Sequence, residues 1–320
     1  MGQTPPRPTR KTAAPGTPFF LALTLGLLCV APGPTEAQEI ARKFESRLDE
    51  VVRLMEHDPR FMKLSAPERR DRIEFVAGNV LFALLHEVGH MLIGEMGLPV
   101  LGREEDAADA FATLVGLKVG TDLSERILKQ SARGWFLSDR RNRKQNITTV
   151  FYEEHGLDQQ RAYNIVCLMV GSNPDKFEDL SVKTALPPER QASCIGDFSN
   201  ASWSWDKALA PHLRSAEQPK TTISIKYQDG GERYGRLAEA SRQLGMLEAV
   251  AQYLSERYVW RRPVGLEMRV CGEPAARWER MEQKIIVCYE LAEEFAMLYR
   301  DFANGQDPAK SASRRARYAR

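Results

Sequence analysis

Apolar residues recur at helical spacing through Ile40, Phe44, Leu48, Val51, Val52 and Met55, so the chain from Gln38 reads as an amphipathic helix that closes near Asp58-Pro59. Ser65-Ala66-Pro67-Glu68 then has the form of a capping box with a proline in the first turn. The helix it opens begins polar and turns apolar on nearly every face from Val76 to Ile93, interrupted only by Asn79, His86, Glu87 and His90. A helix apolar all round belongs in a core. Gly97 and Pro99 end it. A third helix, from about Arg103 to Val119, starts on Glu104-Glu105-Asp106, acids that suit its N-terminal dipole. Further helices are predicted over 122–134, 158–170 and 203–210. Past Gln218 the period changes. Residues 223–227 alternate as a strand does, a helix follows over 234–257, strands are predicted at 266–271 and 284–289, and a last helix runs from Glu290 to Phe302. The expected fold is α+β and mainly α-helical, with the helices packed on a small C-terminal sheet. It occupies residues 38–303 as one domain, with a helical part over 38–217 and a strand/helix part over 218–303. The basic, aperiodic tail 304–320 is expected to be disordered.

The first 37 residues read as a signal peptide. Arg7, Arg10 and Lys11 precede an apolar run from Phe19 to Val30, and small residues at Thr35-Glu36-Ala37 suit cleavage after Ala37. The alternative is an uncleaved N-terminal anchor. No later segment is expected to reach the ~20 apolar residues of a membrane span. Cleavage would remove three basic groups and one acidic group, taking the formal net charge of +2 to zero. That balance gives no electrostatic case for nucleic acid. A periplasmic or secreted location changes how the cysteines are read. Cys167, Cys194, Cys271 and Cys288 would remain, an even number in an oxidising compartment. Three pairings are possible. Cys167 with Cys194 and Cys271 with Cys288 close the shortest loops, each worth ~3 kcal/mol in a chain-entropy model.

The polar interruptions of the apolar helix carry the chemistry. His86 and His90 lie four residues apart, so both imidazoles leave one face and can bind one tetrahedral zinc ion. Glu87 is placed to act as general base on a metal-bound water. Burying all three in an apolar helix is costly without a strong partner such as a metal. The plainer alternative is a set of hydrogen-bonded core residues. A catalytic zinc site takes a third protein ligand and leaves its fourth position to water. Ile93 and Met96 stand where a metzincin has glycine and histidine, which excludes that class. Glu105 and Asp109 share a face of the next helix, with Ala108, Ala112 and Gly116 keeping that stripe narrow. Glu105 is the predicted third ligand. Asp109 is predicted to accept the outer N–H of a ligating histidine. Glu104 is a rival ligand; Glu95, a second rival, ends the histidine helix facing away from the histidines. His57 and His212 read as surface residues.

His86-Glu87-x-x-His90 followed by Glu105-x-x-Ala108-Asp109-x-x-Ala112 resembles the gluzincin pattern of thermolysin-like, HtpX-type and CAAX-prenyl-protease enzymes. The wider string from Leu84 to Asp109 is similar to a bacterial metallopeptidase-type family, domain of unknown function 4344. That similarity extends to Gly134-Trp135, to the stretch from Glu154-His155 to Cys167, and to Cys288-Tyr289-Glu290-Leu291. The resemblance implies gluzincin-like metal-site helices with one Zn2+ per chain, acting on a peptide or protein substrate. The spacing of His155 and Arg161 is similar to that of a histidine and an arginine downstream of the metal motif in HtpX-type enzymes. By that resemblance His155 approaches the oxyanion and Arg161 braces the site; the alternative is a loop histidine beside Glu153 and Glu154 and a surface arginine. In HtpX-type enzymes an Asn-Ala segment and its paired strands precede the metal helix and hold an extended substrate. Here the similar stretches, 271–278 and 285–289, follow it, and the asparagine is absent, so the element order is permuted. The function expected is zinc-dependent peptide hydrolysis through Glu87. The alternative is an exported metal-containing binding or structural protein.

Overall fold

A computed structural model describes residues 35–59, 61–148 and 151–303. The tail 304–320 and all but the last three residues of the expected signal peptide lie outside them. Thr35 caps α1 (Glu36–Leu54): its hydroxyl accepts from the Gln38 N–H, and the Gln38 side chain accepts from the Thr35 N–H. The cleavage point expected after Ala37 therefore falls in the first turn of this helix. α1 buries Ile40, Phe44, Leu48 and Val51, the stripe its period predicts.

α2 (Ala66–Met96) opens on the Ser65/Glu68 capping box and ends at Gly97, whose φ of +66° is left-handed backbone that a side chain would strain. Its length and apolarity are enough to cross a membrane. That corrects the expectation that no segment beyond the leader reaches such a length. Most of the apolar window is buried inside the protein, however, because other elements surround α2. On one side runs α3 (Glu104–Val119), on another α4 (Asp122–Lys144). Both approaches depend on glycine. A Cβ at Gly89 would stand 2.9 Å from the Ala108 Cα of α3, and one at Gly134 of α4 would overlap the Asn79 side chain at 1.9 Å. Asn79 itself is satisfied by the carbonyls of Phe75 and Gln130.

α5 (Asp158–Ser172) packs against α3, α4 and α7 (Pro188–Leu209), with the short α6 (Glu178–Lys183) between. α4 and α7 are both longer than expected. Over Pro188–Leu209 the helix buries only Cys194, Trp205 and Leu209, too sparse a stripe to give a readable period. A Cys167–Cys194 disulfide, with Cα atoms 5.0 Å apart, joins α5 to α7.

The C-terminal part carries a four-stranded mixed sheet in the order β1-β2-β4-β3, built from β1 (Ser224–Tyr227), β2 (Gly265–Arg269), β3 (Ala276–Glu279) and β4 (Lys284–Cys288). β1, β2 and β4 are parallel, and β3 returns antiparallel to β4 through the turn at 280–283. β2 and β4 are almost wholly buried, as central strands covered on both faces are. Periodicity alone marks no strand at β3, although the resemblance places a strand-like stretch at 271–278: Ala-Arg-Trp-Glu alternates over only four residues, and its pairing comes from the hairpin. Between β1 and β2 the single helix expected over 234–257 is two, α8 (Gly231–Leu244) and α9 (Met246–Arg257), because Gly245 turns the chain at φ +67°. The Cys271–Cys288 disulfide closes the strand layer. α10 (Tyr289–Leu298) then packs back on α2 and passes into a π-helical turn at Tyr299–Ala303. One hydrophobic core runs from Phe44 through α2 to Ala292, joining the helical and sheet parts. The result is the mainly helical α+β fold that the sequence implies, with the edge strand β3 lying against α2.

Candidate metal centre

The close approach of Gly89 to Ala108 sets two helix faces against each other, and four of the expected site residues meet there. His86 and His90 come from α2, Glu105 and Asp109 from α3. The His86 and His90 Nε2 atoms are 3.0 Å apart. A Glu105 oxygen lies 3.0 Å from the first, and the other lies 3.4 Å from the second. Each histidine is held by its outer nitrogen: His86 Nδ1 lies 2.8 Å from Asp109 Oδ1, and His90 Nδ1 lies 2.7 Å from Glu104 Oε1. In the neutral ring a proton on Nδ1 directed at a carboxylate leaves Nε2 as a lone pair, so both rings, when neutral, present acceptors to the same space. Glu104, a rival ligand on sequence grounds, stands at the outer nitrogen of His90 instead. Glu95 is taken up by a two-bond ion pair with Arg262, and Asp106 lies beside Arg103. His57 is exposed and His212 half-buried in turns away from the centre.

Replacing Gly89 with valine puts branched carbons into the Ala108 backbone. The expected result is a destabilisation of ~1–3 kcal/mol, the usual cost of overpacking, and a larger proportional loss of metal affinity. Thermal unfolding and metal competition check it; a variant that binds metal as tightly as wild type would mean that this contact does not set the ligand spacing.

The local charge follows from the crowding. Burial works against protonation of His90, but Glu105 and Glu104 outweigh it and raise its pKa to about 9. His86 is raised as well: burial opposes its charge, and Asp109 and Glu105 prevail. Burial pushes Glu105 up, but His155, His86 and His90 hold it far below the usual carboxylate range. Asp109 resists burial through His86 and Arg161 and is lowered to about 2. A metal needs the neutral imidazole, so uptake must displace the His90 proton wherever the pH lies below about 9. Apparent metal affinity is therefore expected to climb as pH rises toward 9, about tenfold per unit for each proton released. Competition against a chromophoric chelator across that range checks the slope; a flat profile contradicts it.

Behind His86 a buried relay continues. Arg161 of α5 makes two 2.7 Å bonds to Asp109, from Nε to Oδ2 and from Nη2 to Oδ1. Its guanidinium lies 3.8 Å from the ring centroid of Trp135 on α4. Arg161 is thus a core residue, not the surface arginine of the alternative reading. Trp135 is legible in the sequence only as part of a resemblance, with no role attached, because the stacking depends on how α4 meets α5. His155 sits in the loop before α5, half exposed, with Nε2 2.8 Å from Glu105 Oε2 and its ring stacked 5.9 Å from that of His86.

Glu87 is buried beside this group on α2. Burial raises its pKa, with His86 and His90 opposing. Its Oε2 accepts a 2.7 Å hydrogen bond from the backbone N–H of Trp278 on β3. No side-chain pattern announces a backbone donor, and sequence reasoning missed it.

The donor set suits a metal ion. The ligating atoms of His86, His90 and Glu105 all lie within 4.8 Å of one another. Glu105 Oε2 is buried and close to two imidazole nitrogens, yet no well-directed hydrogen bond reaches it. Once the histidines give up their protons, two imidazole lone pairs and a carboxylate converge on one point, which is what a cation relieves. Cys271, Cys288 and Glu290 also lie together, but the disulfide consumes both thiols and Glu290 accepts from the Cys271 and Gly272 N–H groups.

Two histidines one helical turn apart and a carboxylate from the neighbouring helix, with a buried glutamate beside them, form a group able to hold a metal ion. Residues 51–209 match the model of a family described as "Putative metallopeptidase", and over that span the chain belongs to it. The match takes in α2 to α7, and with them every residue of the centre except those on β3. No curated protein and no solved structure matches the chain.

Proposed function

We propose that the protein is an exported zinc-dependent peptidase that cuts peptide bonds with Glu87 as its proton carrier. The observation that carries this is the convergence of His86, His90 and Glu105 beside a buried Glu87. Zinc in that position supplies Lewis-acid polarisation of a water molecule and of the substrate carbonyl. Glu87 takes the proton from the attacking water and passes it to the leaving amine. Trp278 holds Oε2 of that carboxylate, which leaves Oε1 to face the water. A carboxyl whose affinity for protons is raised by burial suits both halves of the transfer. His155, whose Nε2 lies 2.8 Å from Glu105 at the exposed side of the centre, would stabilise the developing oxyanion. Among the described residues β3 is a sheet edge along α2, and an extended substrate chain can join such an edge by the backbone groups that Glu87 does not take. The two disulfides and the apolar leader support a periplasmic or secreted location.

The test compares zinc content and hydrolysis of a mixed peptide pool between wild type and Glu87→Gln. Zinc in both with cleavage by wild type alone supports the reading. Zinc in both with cleavage by neither leaves a metal-containing binding or structural protein. Zinc in neither overturns the ligand set.

A further inference from the structure

Seven residues past Glu87 on α2, and on the same face, Gly94 leaves a gap beside the β3–β4 hairpin. Measured from where a Gly94 Cβ would stand, Arg280 Nη2 is 3.4 Å away, Arg280 Nε 3.7 Å and Trp278 Nε1 3.7 Å. All three are donors. The indole nitrogen is shielded from solvent and has no hydrogen-bond partner. Among the described residues no carboxylate pairs with the Arg280 guanidinium, and only its backbone carbonyl is used, by Gln283. Arg280 is exposed and its guanidinium meets solvent, but the shielded indole N–H beside it is left without an acceptor, which is costly. A planar anion with two oxygens satisfies both groups, and a guanidinium fork is the side chain best matched to it.

We propose that Arg280 and the Trp278 indole N–H form a subsite for a carboxylate group of the substrate. The proposal rests on the peptidase reading and deepens it. Seven helical residues advance about 10 Å along α2. An extended peptide advances about 3.3 Å per residue, so the recognised carboxylate lies about three residues from the bond that is cut. Two sources share that chemistry. A terminal α-carboxylate makes the protein an exopeptidase that releases short C-terminal fragments; an aspartate or glutamate side chain makes it an endopeptidase with an acidic preference. Trp278 thereby has two functions, its backbone N–H holding Glu87 and its indole N–H meeting the substrate.

The experiment measures binding of N-acetylated hexapeptides to zinc-loaded Glu87→Gln protein by fluorescence anisotropy. The peptides carry a C-terminal carboxylate, a C-terminal amide, or a C-terminal amide with one internal glutamate. One of the two carboxylate-bearing peptides is expected to bind about tenfold more tightly than the plain amide. Preference for the free terminus identifies the first source, and preference for the internal glutamate the second. Arg280→Gln is expected to remove the preference without loss of zinc, and Arg280→Lys to retain part of it. Equal binding of all three peptides, or a preference that survives Arg280→Gln, overturns the subsite. Wild-type cleavage of the same peptides is scored separately, so a subsite that fails in a working peptidase is distinguished from a failure of the peptidase reading itself. Should no hexapeptide bind, the indole resonance of Trp278, identified with Trp278→Phe, is followed during titration with N-acetylglycine and N-acetylglycinamide. A shift with the acid alone, lost in Arg280→Gln, supports the subsite; equal response to both overturns it.

Discussion

Glu87→Gln is expected to retain the metal and to lose peptide hydrolysis by about 10²–10⁴-fold, the range that a positioned general base contributes. The substitution keeps shape and removes only proton affinity. The carbonyl of the introduced amide can still accept the Trp278 N–H that Glu87 Oε2 accepts at 2.7 Å, so β3 should not move. None of the three atoms that gather for the metal belongs to residue 87. Stability should not fall either. Burial raises the Glu87 pKa in the folded state, so the ionised form is disfavoured there at neutral pH, and a neutral amide removes that cost. Elemental analysis, hydrolysis of a peptide pool and thermal unfolding of both proteins check the three parts. Loss of metal in the variant would show that Glu87 is a ligand and not a base.

Arg161→Ala has the largest expected effect on the fold. It leaves Asp109 buried with its two bonds from Arg161 removed, and breaking a buried ion pair from one side costs about 3–5 kcal/mol. The loss extends to the metal. Asp109 Oδ1 holds His86 Nδ1 at 2.8 Å, and removing such an outer partner lowers metal affinity by about 10–100-fold. Asp109 sits at about pKa 2 because His86 and Arg161 overcome its burial. A depressed folded pKa contributes stability that is present above the unfolded value of ~3.9 and is lost as pH falls toward 2. In Arg161→Ala that acid transition should begin at higher pH. Arg161→Lys keeps the charge but not the two-pronged geometry, and should fall between. Unfolding measured against pH, with chelator competition at neutral pH, checks both parts. A variant with wild-type metal affinity would show that the relay does not orient His86.

The centre was legible where its residues share a helix and obscure where they do not. His86, Glu87 and His90 show themselves because four-residue spacing puts two imidazoles on one face, and because polar groups in an apolar helix demand a reason. Glu105 and Asp109 follow from the same spacing on the next helix. Glu104 was harder to place, since its side chain reaches His90 only when the loop at 97–103 sets the start of α3 beside the end of α2. Trp135, Trp278 and Arg280 meet partners far away in the chain, through a ring face, a backbone N–H and a gap at a glycine. No periodic pattern encodes such contacts.

The strand layer divides in the same way. β4 is an apolar run and β2 alternates around the buried Glu267, and both are readable as strands. β3 is not, because an edge strand of Ala-Arg-Trp-Glu owes its conformation to the partner it returns to. The sequence by itself determined the helices with strong apolar stripes and the residues that can ligate a metal, which depend on spacing within a few turns or on side-chain chemistry; of three cysteine pairings it favoured the one the structure shows. Tertiary structure decided how closely α2 and α3 approach, which carboxylate takes which histidine nitrogen, and that β3 lies over Glu87. Those outcomes depend on a missing Cβ at Gly89, on helix crossing and on the partner-dependent conformation of an edge strand, and such contacts form only when the whole core packs.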